Sequence, residues 1–111
     1  MTKIRDRWGF FHTKAIFNYL KPFAARCETV AYSVVAHEFG TSERALGGRE
    51  LKAIWDECDD RRWPHLNALV VTMRDGLPGI GYTPNDHPVD EDEFELIMQC
   101  ICNFDWTDKH L

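Results

Sequence analysis

The chain has 111 residues, enough for one domain with a modest core, and 44% of them are hydrophobic and 28% charged. No apolar run long enough to span a bilayer and no signal peptide is visible, so we expect no membrane partner and a cytoplasmic location. The net charge of −5 disfavours nonspecific binding to nucleic acid, although a locally basic face would still allow it.

The charge is unevenly distributed along the chain. Residues 1–62 hold eleven Lys or Arg against nine Asp or Glu, whereas residues 83–111 hold eight acidic residues and one lysine. We therefore predict a single domain over residues 1–111, with a core at 9–82 and an acidic C-terminal loop and helix at 83–111.

The first predicted element is an amphipathic helix from Gly9 to Leu20, whose aromatic and aliphatic residues fall mostly on one side. Lys21 and Pro22 are predicted to end it, because the residue before a proline disfavours the helical region. A second helix is predicted over residues 29–40. Its apolar residues recur at spacings of three and four: Tyr32, Val35, Ala36 and Phe39.

Residues 29–48 predict a helix-turn-helix. Gly40 can take the left-handed conformation that ends a helix, and Thr41 or Ser42 can cap the next one. The next helix is predicted to be long, from Ser42 to Asp60. Gly47 and Gly48 near its start would cost about 1 kcal/mol each, which favours a close backbone approach to a partner or a tight helix crossing.

The remaining elements are a strand, turns and a helix. Residues 69–71 (LVV) predict a strand, and the Asp75-Gly76 and Pro78-Gly79 turns after it would form the wing of a winged helix. A final helix is predicted from Val89 to Asn103, with an acidic start and an apolar stripe. The predicted fold class is mainly α with a small β element, a winged-helix-like helix-turn-helix domain.

The cysteines are Cys27, Cys58, Cys100 and Cys102. Their even number would allow two disulfides, but the chain shows no export signal and no C-x-x-C pair. We therefore expect reduced, structural thiols. The scattered histidines offer no correctly spaced ligand set, so no metal site and no cofactor are expected.

Several stretches match a known family pattern. Residues 29–36 (TVAYSVVA) are similar to V-x-[ST]-Y-x-x-[LV]-A, and residues 44–48 (RALGG) after Gly40 are similar to R-A-V-G-G. The valine pair at 70–71, followed by a D-G turn and a glycine-rich segment, continues the pattern. Over residues 14–82 the chain resembles the DNA-binding domain of alkylguanine-DNA alkyltransferases and the noncatalytic alkyltransferase-like proteins.

The resemblance implies roles for individual residues. Tyr32 would pack against the DNA backbone beside the target nucleotide. Arg44 would enter through the minor groove and fill the space left by a flipped base, which offsets part of the cost of flipping. Gly47 and Gly48 would let the recognition helix approach DNA closely. Helper contacts would come from Ser42, Arg49, Lys52 and Asn67.

One departure from the family removes catalysis. The family's reactive stretch is P-C-H-R-V, whereas this chain reads LNALV at residues 66–70 and places Asn67 at the cysteine position. Methyl transfer needs a thiolate with a base beside it, and Cys58 in its acidic surroundings is a poor substitute. The expected protein is not an enzyme but a DNA-binding protein that recognises damaged or distorted DNA.

Two other functions stay open. The acidic tail could make the chain a protein-interaction module, such as a DNA-mimicking inhibitor of a DNA-acting enzyme, through Asp90, Glu91, Asp92, Glu93 and Glu95. The plainer interpretation is a solvated helix start. An enzyme would use His37 with Glu38, or His65 with Asn67, in acid–base roles. The tryptophans at 8, 63 and 106 leave a dimer open.

Overall fold

The structure is a computed structural model that describes residues 5–111, so the first four residues of the predicted domain lie outside it. The fold is mainly helical with a small β element, as predicted. The elements in chain order are α1 (Thr13–Ala25), β1 (Val30–Ala31), α2 (Tyr32–Glu38), α3 (Glu43–Gly48), α4 (Glu50–Arg61), a 3₁₀ helix (Leu66–Leu69), β2 (Val70–Val71) and α5 (Glu91–Asn103). Among the helices of residues 5–111, none has the length and apolar character needed to cross a bilayer.

The core forms around the 3₁₀ helix. It packs against α1, α4 and α5, and all four of its residues are buried. Helix α1 contributes Ile16, Phe17 and Leu20, which recur at helical spacing and are fully buried. Because α1 and α4 enclose the 3₁₀ helix, the residue at its second position, Asn67, has a fixed place in the molecule.

Helix α1 differs from its predicted bounds at both ends. It begins at Thr13 rather than Gly9, because the Asp6 carboxylate accepts hydrogen bonds from the N–H groups of Phe10 and Thr13 and holds the preceding chain in a turn. It also continues past Pro22 to Ala25. Near a helix end the missing N–H of proline removes one intrahelical bond, and this loss is tolerated here.

Two short helices joined by a turn lie where the helix-turn-helix was predicted, and the first of them is shorter than predicted. Val30 and Ala31, predicted as helical, pair in parallel with Val70 and Val71 instead, and α2 begins at Tyr32. Val35 and Ala36 of the predicted apolar stripe are buried, and Tyr32 and Phe39 pack against the core.

The predicted turn at Gly40 and the predicted helix cap at Ser42 are both confirmed. Gly40 has a positive φ of +64°, and the N–H of Thr41 donates to the carbonyl of Ala36. The Ser42 hydroxyl accepts the N–H of Ala45 and caps α3.

The predicted long helix from Ser42 to Asp60 is wrong, because the chain breaks at Arg49. Its φ of −119° and ψ of −87° are not helical, and they separate α3 from α4. Gly47 and Gly48 therefore lie at the end of α3 rather than near the start of one long helix. The low helix propensity of two consecutive glycines accounts for a break at this point.

The strand prediction was one residue too long, since Leu69 belongs to the 3₁₀ helix. After β2 the chain runs through turns, with no further strand over residues 72–90. Helix α5 then begins with a capping box, in which Asp90 accepts the N–H of Glu93 and Glu93 accepts the N–H of Asp90. The predicted stripe of α5 packs on the core, where Ile101 is fully buried.

The expectation of reduced structural cysteines is wrong for one pair. Cys27, in the turn after α1, forms a disulfide with Cys102 in the last turn of α5. Cys58 is free and buried, and Cys100 is free and exposed. The bond links residues 75 positions apart, a proximity that only the packing of α5 beside α1 creates.

The three tryptophans that left a dimer open pack within the chain. Trp106 is 5% exposed, and Trp63 contacts both Phe17 and Trp106 with ring centroids about 6 Å apart. The Trp8 indole N–H donates to Glu57 at 2.7 Å. These side chains therefore supply no argument for a second copy.

Candidate functional site

A pocket of about 560 Å³ lies beside α3. Helices α2, α3 and α4 form one side, and the 3₁₀ helix and the loop after β2 form the other. Its lining is Tyr32, Glu43, Arg44, Gly47, Gly48, Leu51, Lys52, Trp55, Asn67, Thr72, Gly79, Ile80, Gly81 and Tyr82. Six of the eight residues predicted to bind DNA line this one cavity, and they come from four separate stretches of the chain.

Tyr32 forms the wall between α3 and the glycine-rich loop. Its hydroxyl accepts the N–H of Gly79 at 3.3 Å, and burial raises the pKa of this phenol. A Cβ on Gly79 would lie 2.9 Å from the same oxygen, so only glycine fits here without a shift. A Cβ on Gly47 would make ordinary contact with the Tyr32 ring, at 3.6 Å. The packing of Tyr32 therefore requires glycine at position 79 but not at position 47.

Arg44 and Gly48 lie on the open rim. The Arg44 side chain is exposed and makes no hydrogen bond or ion pair with another residue of the described chain, 5–111. A Cβ on Gly48 would meet no atom within 4 Å. Gly48 is therefore not needed for packing within the chain, and the open space beside it is available to a ligand.

Two polar side chains of the pocket wall lack partners. Asn67 is 5% exposed, and its Oδ1 accepts no hydrogen bond. The indole Nε1 of Trp55 is likewise buried without an acceptor. A buried polar group without a partner costs about 1–3 kcal/mol. The pocket wall therefore holds one unpaired acceptor and one unpaired donor, both beneath its accessible surface.

The other predicted helper residues have local partners. The Ser42 hydroxyl caps α3, and Arg49 donates to Thr41 Oγ1 at 3.2 Å and pairs with Glu50 at 3.3 Å. Neither Ser42 nor Arg49 lines the pocket. Lys52 does, and there it lies over the Trp55 ring at 4.4 Å while pairing with Asp56.

Glu50 is fully buried at the start of α4. Burial raises the pKa of its carboxyl, and the Arg49 guanidinium partly opposes that rise. The pair lies beside the break between α3 and α4, and neither residue lines the pocket.

Sequence reasoning missed several wall residues, including Trp55 and Tyr82. The Tyr82 hydroxyl lies 2.6 Å from Nδ1 of His65, whose Nε2 lies 2.5 Å from Asp59. Because a carboxylate only accepts, the hydrogen on Nε2 points to Asp59. Burial, reinforced by the charge of Asp59, raises the pKa of Tyr82. His65 is thus paired with these two groups and not with Asn67.

The residues of the other predicted sites lie away from the pocket. Asp90 and Glu93 form the capping box, and Glu93 also accepts from Asn85 and pairs with His87 at 2.8 Å. Glu91, Asp92 and Glu95 are exposed on α5, as are His37 and Glu38 on α2.

The thiols also lie away from the pocket lining. Burial raises the pKa of Cys58 to about 11, so it is not a nucleophile at neutral pH. Cys100 lines a smaller cavity with Trp63 and His65.

Comparisons of this chain with protein-family models, with curated proteins and with solved structures gave no significant match.

Proposed function

We propose that this chain is a noncatalytic DNA-binding protein of the alkyltransferase-like type. It has a winged-helix-like helix-turn-helix that resembles the alkyltransferase C-terminal domain, and it recognises damaged or distorted DNA. The observation that carries the proposal is the convergence of Tyr32, Arg44, Gly47 and Gly48 on one pocket. The family motifs assign these residues to DNA, and the turn between α2 and α3 brings Tyr32 beside the three residues of α3.

The pocket suits a base extruded from a duplex. Its volume of about 560 Å³ is in the range of small-molecule sites, and Tyr32, Trp55 and Tyr82 give it aromatic walls. Stacking of a base on an aromatic ring contributes about 1–3 kcal/mol, comparable with the few kcal/mol that flipping costs. Arg44 on the rim then fills the gap left in the helix, where its unpaired guanidinium makes new contacts.

No group in this arrangement would transfer an alkyl group to the protein. An amide at position 67 is not a nucleophile, and no cysteine of the chain is among the residues that line the pocket. The bound base would be held and not altered, which is the behaviour of a recognition protein.

The charge on the rim favours modest, salt-sensitive affinity. Arg44 and Lys52 face Glu43, while the chain as a whole carries a net charge of −5. Few phosphates can be neutralised, so binding should be measured at low salt.

A second candidate is the protein-interaction module. It is favoured by one observation, the 64% exposure of Leu96 on the α5 surface that also presents Glu95 and Asp92. Neutralising the exposed Glu91, Asp92 and Glu95 separates the two functions. DNA affinity should stay level or rise with fewer negative charges if the pocket binds DNA, whereas a basic protein partner would be lost.

Fluorescence anisotropy tests the proposal with a labelled duplex that carries one O6-methylguanine and with the same duplex undamaged. The intact chain should prefer the modified duplex at low salt, and Arg44→Ala should weaken binding by about tenfold, equivalent to about 1.4 kcal/mol. Arg26→Ala is the charge-matched control, because Arg26 pairs with Glu28 at the end of α1. Absence of binding to either duplex, or equal losses in both variants, would overturn the proposal.

A further inference from the structure

The wall of the pocket holds, just beneath its surface, an acceptor and a donor that no residue of the described range 5–111 satisfies. Asn67 Oδ1 and Trp55 Nε1 are both buried without hydrogen bonds, and both side chains line the pocket. The other two aromatic side chains of the wall are satisfied, since Tyr32 accepts from Gly79 and Tyr82 bonds to His65. A ligand in the pocket would therefore supply hydrogen-bond partners for these two groups.

The chemistry of the two groups defines the edge they would recognise. An amide oxygen needs an N–H donor, and an indole N–H needs an acceptor. A nucleobase edge with an exocyclic amine beside a ring nitrogen offers both. An unsubstituted purine offers ring nitrogens alone, and an alkyl group facing the amide would leave Oδ1 buried and unpaired.

We propose that Asn67 and Trp55 determine specificity in this pocket, by selecting an extruded base with an exocyclic amine next to a ring nitrogen. This inference rests on the proposed function. The amine donates to Asn67 Oδ1 after rotation of the amide about its Cβ–Cγ bond, and the ring nitrogen accepts from Trp55 Nε1–H after a shift of the indole opens that atom to the pocket. Asn67, which replaces the nucleophile of the resembled family, thus has a recognition role of its own.

The test compares duplexes that differ by one amino group at one position. The wild-type chain is titrated by anisotropy against identical duplexes with purine, 2-aminopurine or adenine at the target site, each opposite an abasic site, so that no base pair has to be broken. The two amine-bearing bases should bind about tenfold more tightly than purine, since one hydrogen bond to a buried group contributes about that factor. Equal affinities for all three duplexes would overturn the inference.

Two variants assign the effect to its residues. Asn67→Leu keeps a side chain of similar size without the acceptor, so the amine preference should fall to less than about twofold. Trp55→Phe keeps an aromatic ring without the donor, so it should weaken binding of all three bases alike and leave the amine preference intact. An amine preference that survives in Asn67→Leu would contradict the role of Asn67. The comparison of bases with the wild-type chain needs no variant and decides the proposal even if Asn67→Leu does not fold.

The same measurements distinguish failure of this inference from failure of the proposed DNA-binding function. If no duplex binds, or if Arg44→Ala has no effect, the DNA-binding proposal fails and the inference fails with it. If duplexes bind with Arg44 dependence but without an amine preference, the inference alone fails. The free nucleosides should bind at least about a hundredfold more weakly than the duplexes, because they lack the backbone contacts. Equal affinity would identify a free nucleoside as the ligand and overturn the assignment to DNA.

Discussion

Gly79 shows at the scale of one residue how closely the pocket wall is built. A Cβ at this position would lie 2.9 Å from the Tyr32 hydroxyl and 3.3 Å from Cζ of the same ring. A Cβ at Gly81, two residues on in the same loop, would meet no atom within 4 Å. The two glycines are therefore a matched pair of sites in one loop, one constrained by packing and one not.

Gly79→Ala should destabilise the fold by about 1–3 kcal/mol, because either the Tyr32 ring or the loop must move. Gly81→Ala, the control, should change the free energy of unfolding by less than about 0.5 kcal/mol. Urea unfolding of both variants measures the difference. Equal stabilities would show that Tyr32 is not held against the loop in the way described.

Glu50 makes stability depend on pH in a predictable direction. Its pKa is higher in the folded chain than in the unfolded chain, because it is buried. Between the two pKa values the folded state binds more protons, so the contribution of Glu50 to the free energy of unfolding falls as pH rises through that window. Above the folded pKa it remains at the lower level.

In Glu50→Gln this contribution is absent, so the stability difference between variant and wild type should shift in favour of the variant as pH rises. Urea unfolding at a series of pH values from about 4 to 8 measures it. Glu38→Gln, at an exposed position, controls for the loss of one charge. A difference between Glu50→Gln and wild type that is independent of pH would contradict the burial of an ionisable Glu50.

At the scale of elements, the disulfide joins α5 to the turn after α1. It closes a loop across 75 positions, and a crosslink of that length restricts the unfolded chain strongly. Helix α5 also packs on the 3₁₀ helix that carries Asn67. The bond therefore stabilises the packing behind the pocket, although neither cysteine lines the pocket.

Cys102→Ser should lower the free energy of unfolding by about 2–4 kcal/mol, and a reducing agent should do the same to the wild type but not to the variant. Cys100→Ser is the control, since Cys100 is an exposed free thiol on the same helix. Unfolding midpoints that are unchanged by reduction would contradict the presence of the bond.

The sequence predicted an element correctly where its cause involves only neighbouring residues, and less well where distant residues must pair. Gly40 and Ser42 were predicted correctly because a positive φ and a cap involve only neighbouring residues. The break at Arg49 and the strand at Val30 were missed. The strand depends on pairing with Val70, 40 positions away, and the break follows two glycines whose low helix propensity was interpreted as allowing a close approach within one long helix.

At the scale of the whole molecule, the pocket is a product of the tertiary fold. The resemblance to a family motif predicted Tyr32, Arg44 and the two glycines of α3 as site residues. Nothing in the sequence marked Trp55 and Tyr82 as residues of the pocket. Each is an aromatic residue with the spacing of an ordinary core position. Their convergence on Asn67 requires α4, the 3₁₀ helix and the loop after β2 to meet, which no local pattern specifies.

If DNA enters this pocket, the indole N–H signal of the tryptophan that lines it should report the binding directly. Of the four tryptophans, Trp55 alone lines the pocket. The indole N–H of Trp8 donates to Glu57, and that of Trp106 donates to Ile101. The ¹⁵N-labelled intact chain is titrated with the duplex that carries one modified base, and the four indole signals are followed by NMR. On addition of DNA, the Trp55 signal should shift, and the signals of Trp8, Trp63 and Trp106 should stay in place. An unmoved Trp55 signal in DNA-bound protein would contradict this prediction, as would shifts confined to the other three.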